Sequence, residues 1–168
     1  MYSAAITGTG VFTPEHTITN DELVAAFNAH ADLFNAENVE AIAAGTIDAK
    51  PQSSSDFILA ASGIERRYVL DKSGIIDPKR MYPSLPARGD DEPSFMAEMA
   101  VDAALQAMTQ AGRAAPDIGA VICAASNFER AYPAIAVEIQ NLLEIEGFAF
   151  DMNVACSSAT FGIQMATD

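Results

Sequence analysis

The sequence has 168 residues, half of them apolar, and a formal net charge of −14. That length suffices for one ordinary domain with its own core, and the acidic balance argues against a nucleic-acid surface, which needs clustered Lys and Arg to neutralise phosphates. The apolar residues fall in short segments rather than in the roughly 18 consecutive positions of a membrane span, and MYSAAITGTG lacks the basic and long apolar regions of a secretory signal, so a cytoplasmic chain without membrane association is expected.

In chain order, AAITGTGVFTP reads as a buried strand that ends in a Gly- and Pro-marked turn. Its GTG lacks the full GxGxxG spacing and is read as turn chemistry. TNDELVAAF predicts a helix with Thr19 or Asn20 as N-cap, acids in the first turn, and Leu23, Val24 and Phe27 at helical spacing. Residues 28–55 predict a second, Ala-rich helix that runs into the loop KPQSSS. SGIERRYVL then reads as a turn glycine followed by a short strand, and Asp71 to Pro93, with three prolines and two glycines before its closing Pro93, as a long surface loop.

A helix is predicted from Ser94 to the stop at Gly112, with Val101, Leu105 and Met108 on one face and Phe95 and Met99 at i and i+4. Its methionines read as core. AVICAAS is a continuous apolar run, as in a strand covered on both faces. A helix from about Pro133 to Leu143 follows, with Pro133 in its first turn and Ile135, Ile139 and Leu142 facing one way. GFAFDMNVA reads as another buried strand and SSATFGIQMATD as the next helix. Strands alternating with helices imply an α/β layered sheet.

Two cysteines far apart make neither a disulfide framework nor a metal pattern. Cys123, inside an apolar run, reads as core. Cys156 falls between a buried strand and a helix N-terminus, where free N–H groups and the macrodipole favour an anion. Thiols there can be lowered from about 8.5 into the range of roughly 3.5 to 7.5, and the same N–H groups can hold an oxyanion when a thioester is attacked. The competing reading is a small residue at a crowded junction. Six of the nine basic residues (Arg66, Arg67, Lys72, Lys79, Arg80, Arg88) lie in one stretch; grouped in space they would meet an anionic ligand such as a nucleotide phosphate or an acidic carrier protein, and otherwise they are solvated loop charges.

FDMNVACSSATFGIQMA resembles the nucleophile region of the β-ketoacyl-acyl-carrier-protein synthase III family of the thiolase fold. ITGTGVFTPEHTITNDEL, SGIERRYV and AVICAASNFERAYPAIAVEIQNLLEI resemble its other segments, in the same order. The resemblance implies a thiolase-like layered α/β/α fold of which residues 1–168 match the N-terminal half, with insertions at about 28–50 and 71–93 and the C-terminal half missing. It implies that Cys156 takes an acyl group from acyl-CoA as a thioester and passes it to malonyl on acyl carrier protein with loss of CO2, as a homodimer and with no cofactor or metal. The family's catalytic His and Asn belong to the C-terminal half, so His16 is read as a loop residue and His30 as a helix-end residue.

The departures from the family bear on substrate. Where compact members hold CoA with an aromatic and an arginine, this chain has Phe57 and Ala61, so stacking is retained and the phosphate contact is lost unless Arg66, Arg67 or a loop residue replaces it. Tyr132 stands where the family limits the partner's acyl pocket. The extra segments and the CSSATFG wording most resemble the subgroup that takes medium-chain acyl-CoA, such as octanoyl-CoA, and forms β-ketodecanoyl carrier protein. Two alternatives remain at this stage: a thiolase-like or hydroxymethylglutaryl-CoA-synthase-like acyltransferase using the same cysteine, and a non-catalytic synthase subunit.

Overall fold

The structure, a computed structural model, describes residues 4–89 and 91–167. The chain divides into two compact units, residues 13–87 and residues 1–12 with 88–168.

In the unit of residues 13–87, strand β1 (His16–Thr19) pairs antiparallel with β2 (Arg66–Val69), Thr19 opposite Arg66. Thr19 also caps helix α1 (Asn20–Glu37): its hydroxyl accepts from the Glu22 N–H while the Glu22 carboxylate accepts from the Thr19 N–H, a reciprocal arrangement that satisfies two end-of-helix donors. Lys72 reaches the same carboxylate at 2.6 Å. Its hydrogen bond, with those from Thr19, pulls Glu22 down from 4.5 to about 2. Helices α2 (Val39–Ala43), α3 (Ser55–Ser62) and α4 (Ser73–Ile76) complete the unit. Ser54 caps α3, and Gly63 ends it at a φ of 68°, which a side chain would strain.

Three expectations are corrected here. His16 is a strand residue rather than a loop residue, because pairing with Val69 extends it. His30 lies inside α1, which runs on to Glu37, so it is not at a helix end. Residues 28–55 hold no single second helix: α1 takes the first part, α2 is five residues long, and the remainder is loop.

In the other unit, helix α5 (Phe95–Ala111) starts at the Ser94 cap and stops at Gly112, as expected. It packs with α6 (Ile135–Leu142) around Ala97, Ile135, Ile139, Leu143 and Ile145. Met96 and Met108 join this core, whereas Leu105 is exposed. Leu142 likewise points out and Leu143 in. Pro133 lies outside α6, whose N-cap is Ala134.

Strands β3 (Ala120–Ala124) and β4 (Phe148–Met152) pair in parallel, joined through α6. Alternation sends Val121 and Cys123 into the core cluster. Ala120, Ile122 and Ala124 face the other way, towards helix α7 (Ser158–Thr167). Helices therefore lie on both sides of the parallel pair, an α/β/α layering.

Two differences from the sequence reading concern this sheet. AVICA is half-buried throughout rather than covered on both faces: Ile122, Phe148, Phe150, Gly162, Ile163 and Met165 line an open apolar concavity of about 710 Å³, with Phe148 62% exposed. Residues 4–12 are not a buried strand. They run extended beside α5, where the Gln110 carboxamide oxygen accepts the Thr9 N–H at 2.6 Å and Gln106 Nε2 donates to the Val11 carbonyl at 3.1 Å, and Ile6 and Val11 are exposed. Gln side chains on α5, not a neighbouring strand, partner the backbone groups of Thr9 and Val11.

Candidate active site

Cys156 is exposed in a short 3-10 turn, Ala155–Ser157, that joins β4 to α7. The α7 backbone comes close to β3 at Gly162, where an added Cβ would stand 2.9 Å from the Ala124 Cβ. Ala155, immediately before the cysteine, has a φ of +48°, a left-handed conformation that a residue with Cβ adopts only when its surroundings hold it. Ser158, 2% exposed, accepts the Val154 N–H and reaches the carbonyls of Ala125 and Ala155; Asn153 accepts the Ala155 N–H.

Cys123 is half-buried against the core cluster, on the opposite side of β3 from α7. Burial, with the Asp151 carboxylate beside it, pushes its thiol up to about 11. Asp151 is itself held by α6, accepting the N–H groups of Ile135 and Ala136 at 2.9 and 2.8 Å. It caps a helix whose own N-cap, Ala134, has no side-chain acceptor. Of the two cysteines, Cys156 is exposed and Cys123 half-buried.

Tyr132 belongs to the same unit and is 90% exposed in the loop before α6. The other expected binding residues belong to residues 13–87. Phe57 is exposed on α3 and borders a hollow of about 530 Å³ with Phe27, Pro51, Gln52, Ser53 and Ser54. Neither Arg66 nor Arg67 lines it. Arg67 donates to Asn20 Oδ1 at 2.9 Å, and Asn20 in turn donates to the Ile64 carbonyl; Arg66 is exposed on β2. The basic stretch is mostly spent locally: Lys72 on Glu22, Arg80 over the Tyr82 ring, Arg88 on Glu98 and over the Phe95 ring.

Sequence reasoning missed Asn153, Ala155 and Ser158 as a set. Asn153 carried a local signal, since Asn side chains commonly bond the backbone two residues on; nothing in an alanine announces a positive φ. Among the described residues, no group of His, Cys, Asp and Glu could hold a metal ion, and no helix is long and apolar enough to cross a membrane.

The layered helices on a parallel pair match solved structures of the thiolase-type fold, and here an exposed cysteine sits in the turn from strand to helix. Solved structures similar in fold include the 3-oxoacyl-[acyl-carrier-protein] synthase III of Aquifex aeolicus, with a TM-score of 0.65 and 20% identity over 96% of this chain and 38% of that one. The priming β-ketosynthase of the R1128 polyketide pathway also scores 0.65, with 18% identity over 97% and 36%. No family model matches. The chain is 57% identical over 142 residues to the β-ketodecanoyl-[acyl-carrier-protein] synthase of Pseudomonas aeruginosa, covering 84% of this chain and 41% of the relative. It is 30% identical over 167 residues to the β-ketoacyl-[acyl-carrier-protein] synthase III of Granulibacter bethesdensis, covering 98% and 38%. The chain is a homologue of the N-terminal portion of the β-ketoacyl-[acyl-carrier-protein] synthase III family, and spans about two fifths of the length of these two curated relatives.

Proposed function

We propose that this chain carries the acyl-accepting cysteine of a decarboxylating β-ketoacyl synthase. The Cys156 thiolate attacks the carbonyl carbon of a medium-chain acyl-CoA such as octanoyl-CoA, forming a thioester and releasing CoA as its thiolate, which takes a proton from water. Malonyl on acyl carrier protein then loses CO2, and the resulting carbanion takes the acyl group while Cys156 is freed. Storing the acyl group covalently divides one difficult exchange into two easier ones. Neither step calls for a resident cofactor.

The observation that carries this reading is the exposed thiol of Cys156 in the turn that leads into α7, inside a sequence 57% identical to a relative named for β-ketodecanoyl synthesis. The hollow beside Phe57 offers an aromatic face and serine hydroxyls to a nucleotide, which suits the CoA end of the substrate. Exposed Tyr132 is available to a second copy of the chain in a homodimer.

The test is to incubate the polypeptide at its full natural length with octanoyl-CoA and locate the thioester by peptide mass spectrometry. Octanoyl on Cys156, discharged by malonyl carrier protein, is expected. Label on Cys123 alone, or none on either cysteine, overturns the reading.

A further inference from the structure

The turn that carries Cys156 is held from both ends of one strained residue. Ala155, at a φ of +48°, has its N–H accepted by Asn153 Oδ1 at 3.0 Å and its carbonyl within 2.8 Å of the Ser158 hydroxyl. One holding side chain lies three residues before the cysteine and the other two residues after it. Both also reach back to the end of β3. Asn153 Nδ2 donates to the Ser126 carbonyl at 3.2 Å, and the Ser158 hydroxyl, whose single proton is shared between two carbonyls, lies 3.0 Å from that of Ala125. Ser158 completes its set by accepting the Val154 N–H at 2.8 Å.

A hydroxyl this deeply buried costs free energy unless it is hydrogen-bonded. Alanine would fill the same space without that cost. What a serine adds is a fixed relation between the Cys156 turn and the strand beside it. An unheld alanine leaves the left-handed region readily, because its Cβ crowds the backbone there, and the thiol would turn with it.

We propose that Ser158 and Asn153 are positioning residues for Cys156: they hold Ala155 left-handed and tie the cysteine turn to the end of β3, so that Sγ is presented in one geometry to an incoming thioester. This rests on the reading of Cys156 as acyl acceptor. Neither side chain touches the reacting atoms in this account; both act through the backbone.

The test compares Ser158→Ala, Asn153→Ala and each combined with Ala155→Gly, in the polypeptide at its full natural length. The readouts are the single-turnover rate of octanoyl transfer from octanoyl-CoA to Cys156, the half-saturating octanoyl-CoA concentration, and amide hydrogen exchange over residues 153–158. Ser158→Ala is expected to slow transfer by about 10- to 100-fold, the scale of a lost attack geometry, with the half-saturating concentration unchanged. Adding Ala155→Gly should return part of the rate, because glycine adopts a positive φ without the Cβ penalty. Transfer at the wild-type rate in Ser158→Ala, or a slowed variant that Ala155→Gly does not improve, overturns the proposal. If Ser158→Ala fails to fold, Asn153→Ala, at an exposed position, carries the same comparison. If the wild-type cysteine takes no acyl group, the acyl-acceptor reading falls, and exchange still decides the turn: faster exchange over 153–158 in the variants supports the positioning role, and unchanged exchange overturns it.

Discussion

Gly162 of α7 and Ala124 of β3 are packed so closely that a methyl group on the glycine would stand 2.9 Å from the alanine Cβ. Neither partner has a flexible end that can move aside. Gly162→Ala is therefore expected to lift α7 from the strand despite the better helix propensity of alanine. The variant should unfold at a lower temperature and acylate Cys156 more slowly, and Ala124→Gly in the same chain should recover both. A stable, fully reactive Gly162→Ala protein would show that α7 is not seated by this contact.

The two cysteines should separate by reagent and pH. Cys156 is exposed, whereas Cys123 is pushed up to about 11 by burial and the neighbouring Asp151. The thiolate is the reactive form, so iodoacetamide near pH 8 should label Cys156 and leave Cys123 largely unmodified until the pH approaches 11. Peptide mapping of a pH series measures this directly; equal labelling at pH 8 contradicts it.

Tyr132→Ala is expected to shift acyl-chain preference towards longer chains in the intact enzyme. Room for one more methylene in an apolar pocket is worth about 1 to 3 kcal/mol of discrimination. The measurement is relative kcat/KM across a series of acyl-CoA lengths, and an unaltered profile removes Tyr132 from the pocket.

Acid should loosen the start of α1. Glu22 is held at about 2 against an ordinary 4.5, first by the Lys72 hydrogen bond. A depressed carboxylate contributes stability above its unfolded value, and that contribution fades as pH falls from about 4.5 through about 2. Hydrogen exchange over residues 19–25 should accelerate across this window in the wild type, and Glu22→Gln should show the faster exchange already at neutral pH. An exchange profile flat across it in both proteins counts against the cap. In the core, Ile135→Ala, at a position with no solvent exposure, should cost about 2 to 5 kcal/mol in denaturant unfolding.

Residues 1–168 alone are expected not to condense octanoyl-CoA with malonyl carrier protein. The resemblance puts the family's catalytic His and Asn in a C-terminal half, and the two histidines of this chain lie in β1 and α1. Product formation by this chain at the rate of the full-length enzyme would require a base among its own side chains.

Features set by neighbours in sequence were legible: a helix start at Thr19 or Asn20, which the structure resolves to a Thr19 cap, the Ser94 start and Gly112 stop of α5, and the place of Cys156 between strand and helix. Each is a local hydrogen-bonding problem with few solutions. Features set by distant partners were not. Residues 4–12 have a strand's composition, but strand formation needs a paired edge, and Gln106 and Gln110 of α5 take those backbone groups instead. His16–Thr19 is extended by a partner some fifty residues away. Ser158 gave no sign that its hydroxyl would reach Ala125, because that bond crosses from the start of α7 to the residue after β3, 33 positions away in sequence.

The open apolar concavity between α7 and the parallel strands has a colloidal consequence. At neutral pH, fourteen net negative charges keep copies of the chain apart even though Phe148 and Ile163 face water. Near the isoelectric point of about 4.3 that repulsion vanishes, and concentrated salt screens it at any pH. Under either condition the exposed face meets its like, so solubility should have its minimum close to pH 4.3 and fall with added sulfate. Covering that face would lift the minimum without changing a single charge.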